Sequence, residues 1–184
     1  MSVDNAITDA ERFDALFDEY SPRVYAYVRR HGEWTVVDDI VSETFLVAWR
    51  RLGDVPEDPL PWLLVVARNT LANQRRTFAR HDRVQLETSA LERLVSTDRP
   101  VDDHVIDRST MLGALASLNS TEREALLLIA WDGLSATEAA EVAGCSTRTF
   151  TVRLHRARRR LARAVDTAGD GTRLPLHFLA EETA

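Results

Sequence analysis

Residues 134–163 read LSATEAAEVAGCSTRTFTVRLHRARRRLAR. Ser135 and Glu138 have the spacing of a capping box, in which serine and glutamate satisfy each other's backbone amides at a helix start. Gly144 allows the left-handed turn that ends this short helix. Ser146 is placed to cap a second, longer helix. Phe150, Leu154, Ala157 and Leu161 recur at steps of four, three and four, so they share one face. Arg148, Thr151, His155, Arg156, Arg159, Arg160 and Arg163 occupy the others, and no acidic residue lies between Glu141 and Asp166. The pattern is that of a helix-turn-helix whose second helix offers a cationic surface to DNA.

That local reading opposes the whole-chain balance. The 184 residues carry a formal net charge of −6, which alone argues against a polyanionic partner. Lysine is absent, so all 23 basic residues are arginine, a usage that follows genomic base composition and carries no function. The one cysteine, Cys145, excludes an internal disulfide and a cysteine-rich zinc site. The N-terminus, MSVDNAITDAER, lacks a basic segment followed by an apolar run, and no apolar stretch approaches membrane-spanning length. A cytoplasmic protein without membrane insertion is expected.

Glycine and proline are few, and the segments between them have helical period, so the fold class is all-α. Phe13, Leu16, Phe17, Tyr20 and Val24 trace a first stripe, with a break expected at Ser21-Pro22. The next helix is expected over about residues 37–52, with Ile40, Val41, Phe45, Ala48 and Leu52 inward. Gly53 to Pro61 is a loop by composition. A further helix starts at Pro61 or Trp62 and runs to about Arg80. These form one helical bundle, residues 10–82. An acidic linker follows at 83–107, with a short helix at Leu86 to Val95. A second bundle spans 108–166, one of its helices opened by Ser120 and Thr121, and an apolar tail occupies 167–184. The expected architecture is two small helical domains joined by a flexible acidic linker.

Catalytic chemistry finds no footing. There is no His-x-x-x-His or Cys/His metal spacing and no glycine-rich phosphate loop, and the five histidines are scattered. No catalytic residue, metal or cofactor is expected. Asp39 and Glu43, one turn apart, read as an acidic docking face rather than an acid/base pair. Residues 61–83 form a second basic segment flanked by aromatics. Asn69 and Asn73 share a helix face there, and asparagine is a poor helix former, so the pair suggests polar recognition. Arginines beside them suit phosphates, and Trp62 and Phe78 suit stacking on unpaired bases.

Three ordered segments, DDIVSETFLVAWRR (38–51), PWLLVVARNTLANQRR (61–76) and LNSTEREALLLIAWDGLSATEAAEVAGCSTRTFTVRLHRARRRL (118–161), together resemble bacterial RNA polymerase sigma factors of the extracytoplasmic-function (ECF) group of the sigma-70 family. The resemblance implies a transcription initiation factor that directs core RNA polymerase to particular promoters and assists melting. It makes 10–82 sigma region 2 and 108–166 sigma region 4. It implies that Asp39, Glu43, Phe45 and Trp49 bind core polymerase at the clamp helices of its largest subunit, with Phe45 and Trp49 behind the two carboxylates. Region 4 would meet the flap of the second-largest subunit. The loop Gly53 to Pro61 and Asn69 would form a pocket for a flipped base of the minus-ten element. Asn73, Arg75 and Arg76 would hold the same strand. Arg148, Thr151, Val152 and His155 would face minus-thirty-five bases, and Arg153, Arg156 and Arg160 phosphates. An anti-sigma factor is the further partner implied.

Two positions depart from the family pattern. Ser42 stands where glutamine is usual, and Thr151 where the recognition helix commonly has arginine, which implies a base preference of its own. A helix-turn-helix regulator acting without polymerase, or a helical adaptor using its arginines on acidic partners, are the competing readings of the same residues.

Overall fold

A computed structural model describes residues 8–31, 34–78 and 108–168. Among these, every regular element is helical. The chain divides into two compact units, one within residues 1–83 and the other within 84–184. The linker at 83–107, its expected helix at Leu86 to Val95, and the tail beyond Ala168 lie outside the described residues.

The first unit is built from α1 (Asp9–His31), α2 (Val37–Arg50) and α3 (Pro59–Phe78), each packed on the other two. Thr8 caps α1: its N–H donates to Glu11 Oε2 at 2.8 Å and its Oγ1 accepts from Glu11 N–H at 3.2 Å. These bonds hold the Glu11 carboxyl below its usual pKa. The break expected at Pro22 does not occur. Pro22 lies inside α1 on its exposed side, where the carbonyl it deprives of a partner faces water. Val24, Tyr27 and Val28, which follow it, are buried and hold the helix in register.

Helix α2 is preceded by a 3-10 turn, Trp34–Val36, and followed by another, Leu52–Asp54. Its buried Thr44 is satisfied within the helix, Oγ1 donating to Ile40 O at 2.7 Å. Helix α3 starts two residues before the expected point. Pro59 and Pro61 both fall in its first turn, where backbone amides have no intrahelical acceptor, so neither proline costs a hydrogen bond. Leu60, Leu63, Leu64, Ala67 and Leu71 form its core face.

The second unit contains α4 (Arg108–Ala116), α5 (Ser120–Ala130), α6 (Ala136–Val142) and α7 (Thr147–Ala168). Helix α7 packs on α4, α5 and α6, so it is the hub of this unit. Phe150, Ala157 and Leu161 are fully buried, with Leu154 and Val165 beside them. Asn119, not Ser120 or Thr121, caps α5. Its side chain accepts from Glu122 N–H, and Glu122 returns the bond to the Asn119 backbone. The Ser135–Glu138 capping box opens α6. Gly144, at φ 65°, closes it in a Schellman arrangement: its N–H donates to Glu141 O and Cys145 N–H to Ala140 O, both at 3.0 Å.

The two glycine environments give opposite expectations. Gly144→Ala forces a side chain into the left-handed region and lowers stability by about 1–2 kcal/mol. Gly113 sits inside α4 with open space where a Cβ would stand, so Gly113→Ala raises stability by about 0.4–1 kcal/mol. Urea midpoints of the two variants should move in opposite directions.

Candidate nucleic-acid and protein interfaces

Helix α2 presents an outward row of Asp39, Glu43, Leu46 and Arg50 at steps of four, three and four, all exposed. The residues expected behind the carboxylates separate. Phe45 is only 3% exposed and packs edge-on to Phe17 with ring centroids 4.8 Å apart, so it supports the surface from below. Trp49 is 46% exposed and meets Phe13 edge-on at 5.1 Å, so it is part of the surface. Phe17 and Leu46, at 41% and 40% exposure, join it. Reading the sequence missed both. Leu46 carried a signal, being, like Trp49, a large apolar residue of α2 that falls off the inward stripe.

On α3, Asn69, Asn73 and Arg76 are exposed opposite the leucine core. Arg75 lies about 100° round from Arg76. Its guanidinium donates to the backbone carbonyl of His31, at the end of α1, and so ties α3 to the last turn of that helix. Trp62 is half-buried at the start of α3, with the Arg51 guanidinium 6.0 Å from its ring centroid. Arg51 is also paired to Asp54 at 3.0 Å. The loop after α2 turns towards α1. There Leu16 and Tyr20 meet Leu52, Val55 and Pro59 around a groove of about 270 Å³ that does not include Asn69. Burial, then the hydrogen bond and charge of Glu19, raise the Tyr20 pKa, so its hydroxyl stays neutral.

On α7 the burial of the apolar stripe leaves Arg148, Thr151, Val152, His155, Arg156, Arg159 and Arg163 exposed. The Thr151 hydroxyl donates to Thr147 O at 2.9 Å, and the residue is exposed. Val152, at 44% exposure, adds an apolar contact. Arg153 is half-buried at the flank. The Arg160 Nη1 donates to Glu122 Oε2 of α5 at 2.9 Å. Among the described residues no group of three or more His, Cys, Asp or Glu is arranged to hold a metal, and no helix is long and apolar enough to cross a membrane.

The family model for Sigma-70 region 2 covers residues 16–81, and that for Sigma-70 region 4 covers residues 109–161. ECF RNA polymerase sigma factor SigC of Mycobacterium tuberculosis is 34% identical over 165 residues, 86% of this chain and 85% of that protein. The chain belongs to the ECF sigma factors. SigL of the same species is 29% identical, covering 89% of this chain and 94% of the relative. BldN of Streptomyces coelicolor is 34% identical over 164 residues, and the chain spans 61% of its length. Among solved structures, CnrH in complex with the cytosolic domain of CnrY is similar at TM-score 0.57 and 28% identity, covering 85% of this chain and 89% of that one. Sigma factor RpoE in complex with the anti-sigma factor NepR from Bartonella quintana shares the fold at TM-score 0.62 and 24% identity, over 85% and 98% of the chains. The function is that of an alternative sigma factor, a transcription initiation factor and not an enzyme. The free-standing regulator gives way, because such a protein has no use for region 2.

The Arg75 and Arg76 environments predict different losses. Arg75→Ala removes a charge-assisted bond to the end of α1 and lowers stability by about 0.5–1.5 kcal/mol. Arg76→Ala leaves the thermal midpoint unchanged within error.

Proposed function

We propose that the acidic and apolar face of α2 docks this sigma factor on the clamp helices of core RNA polymerase. Asp39 and Glu43 supply the charge, and Trp49, with Phe17 and Leu46, the apolar contact; Phe45 holds the ring cluster in place. Residues 10–82 act as the unit that binds polymerase and the minus-ten element. Residues 108–166 read the minus-thirty-five element and meet the flap of the second-largest subunit. Residues 83–107 connect them. The protein works in the cytoplasm.

On α3, Asn69, Asn73 and Arg76 face the non-template strand of the minus-ten element, while Arg75 positions that helix. On α7, Arg148, Thr151, Val152 and His155 face bases, and Arg153, Arg156, Arg159 and Arg163 face phosphates. The single observation that carries this reading is the α7 surface. Its apolar stripe is buried, its exposed side carries arginines along its length, and no carboxylate interrupts it between Glu141 and Asp166. An anti-sigma factor is the proposed inhibitory partner; sigma factor RpoE, which shares the fold, has been solved with the anti-sigma factor NepR.

Run-off transcription with sigma-free core polymerase and a library of promoter fragments tests the whole reading. Starts from a defined subset are expected, and Asp39→Ala with Glu43→Ala should abolish them while leaving binding to isolated minus-thirty-five duplex intact. Tight duplex binding without polymerase-dependent starts would overturn the docking assignment. In salt titrations of duplex binding, Arg156→Gln should reduce the slope of log K against log salt by about 1.

A further inference from the structure

The helix expected to lie on DNA carries one arginine that faces its own protein. Arg160 lies about 100° round α7 from Arg159, on the side turned to α5. Its partner Glu122 is only 7% exposed at the side chain, while the Arg160 side chain is 55% exposed. The same Oε2 that accepts from Arg160 also accepts from Asn119 N–H at 3.3 Å, closing the α5 capping box. Thr121 Oγ1 and Glu122 N–H both donate to Asn119 Oδ1 at 2.9 Å. One residue on, the Arg123 guanidinium donates to Leu115 O at 3.0 Å and Leu118 O at 2.9 Å, fastening the end of α4 and the turn after it. A single polar corner thus joins the end of α4, the start of α5 and the middle of α7.

We infer that Arg160 is a positioning residue for promoter recognition: its ion pair with the buried Glu122 carboxylate sets how α7 is presented to bases, and it is not a phosphate contact. A carboxylate so nearly buried is costly to leave without its counter-charge, so Arg160 is held on Glu122 when DNA arrives. Apolar packing alone lets a helix slide or roll slightly at small cost. A directed charge-assisted bond to a capped helix terminus limits that freedom. The inference rests on the reading of α7 as the minus-thirty-five helix.

The test compares the full chain with Arg160→Gln, Glu122→Gln, the double variant and Arg156→Gln. Glutamine at 122 keeps the capping bonds and removes the charge. Two duplexes serve as probes: a mixed-sequence duplex of about two helical turns, and the pool member that the unaltered chain enriches most from a randomised duplex library. Binding is measured well below the melting temperature. Arg160→Gln is expected to leave the salt slope unchanged and to lower selectivity for the enriched duplex over the mixed one by about threefold to tenfold. In the Glu122→Gln background it should have no further effect. A salt slope reduced by about 1, in both backgrounds, would show a phosphate contact and overturn the inference. Lower melting temperature with unchanged selectivity would make the pair structural only, and would overturn it too. Arg156→Gln reports on the underlying reading separately: an unchanged slope there removes α7 from the DNA interface whatever Arg160 does. Should Arg160→Gln fail to fold, Glu122→Gln alone carries the selectivity and slope measurements.

Discussion

Burial of one stripe of α7 is the constraint on which the second unit depends. Phe150, Leu154, Ala157, Leu161 and Val165 face three other helices at once. A fully buried side chain such as Leu161 contributes on the order of 2–3 kcal/mol by leaving water. Once that stripe is fixed inward, helical geometry leaves the arginines no choice of side. The cationic surface is thus a consequence of core packing, and the core itself requires no charge pairing on that face. The two capping devices before α7 then fix where it begins. The Ser135–Glu138 box starts α6, and the Gly144 turn ends it, so that Ser146 accepts from Thr149 N–H at 3.2 Å and α7 leaves in one direction.

Charge is distributed to suit this arrangement. The chain is net negative, yet its acidic residues avoid the α7 segment from Thr147 to Val165. A field of mixed sign over the whole molecule keeps non-specific attraction to nucleic acid low, while within a Debye length of α7 the local sign governs. Such a protein gains little from duplex DNA by net charge. The same separation makes the acidic face of α2 available for a different class of partner. There the apolar content is supplied by Trp49, Phe17 and Leu46 over a buried Phe45, a ring cluster held by edge-on contacts rather than by a deep core.

The elements were legible in the sequence where period and punctuation agreed. The Ser135–Glu138 box, the Gly144 turn and the α7 stripe all follow from residue type and spacing. Failures fell where local rules were overridden by tertiary contact. Pro22 reads as a break, but the buried Val24, Tyr27 and Val28 after it hold α1 continuous, and the proline faces water. Pro59 reads as loop, yet the first helical turn tolerates it. At the surfaces, type and period placed Asp39, Glu43, Asn69 and Arg156 outward. They did not separate Arg75 or Arg160, because whether an arginine bonds its own protein depends on a carbonyl at residue 31 or a carboxylate at residue 122, distant in sequence. Phe45 lies on the inward stripe and Trp49 off it, and the neighbouring α1 rings accordingly cover the first and only flank the second.

Thr151 shows how a short side chain narrows recognition. Its hydroxyl proton is committed to Thr147 O, so on the proposed minus-thirty-five face it has no donor to give. Guanine, read in the major groove through two acceptors, gains nothing from it. What the exposed side chain keeps is a methyl group and an oxygen lone pair. The methyl fits against a thymine methyl, and the lone pair accepts from the amino group of adenine or cytosine. Arginine at this place would favour guanine through two parallel donors. Freeing the threonine proton for guanine would sacrifice the bond to Thr147, so the exchange brings no net advantage. With Val152 exposed beside it, the proposed minus-thirty-five face would favour an apolar base edge over a donor-seeking one at this position.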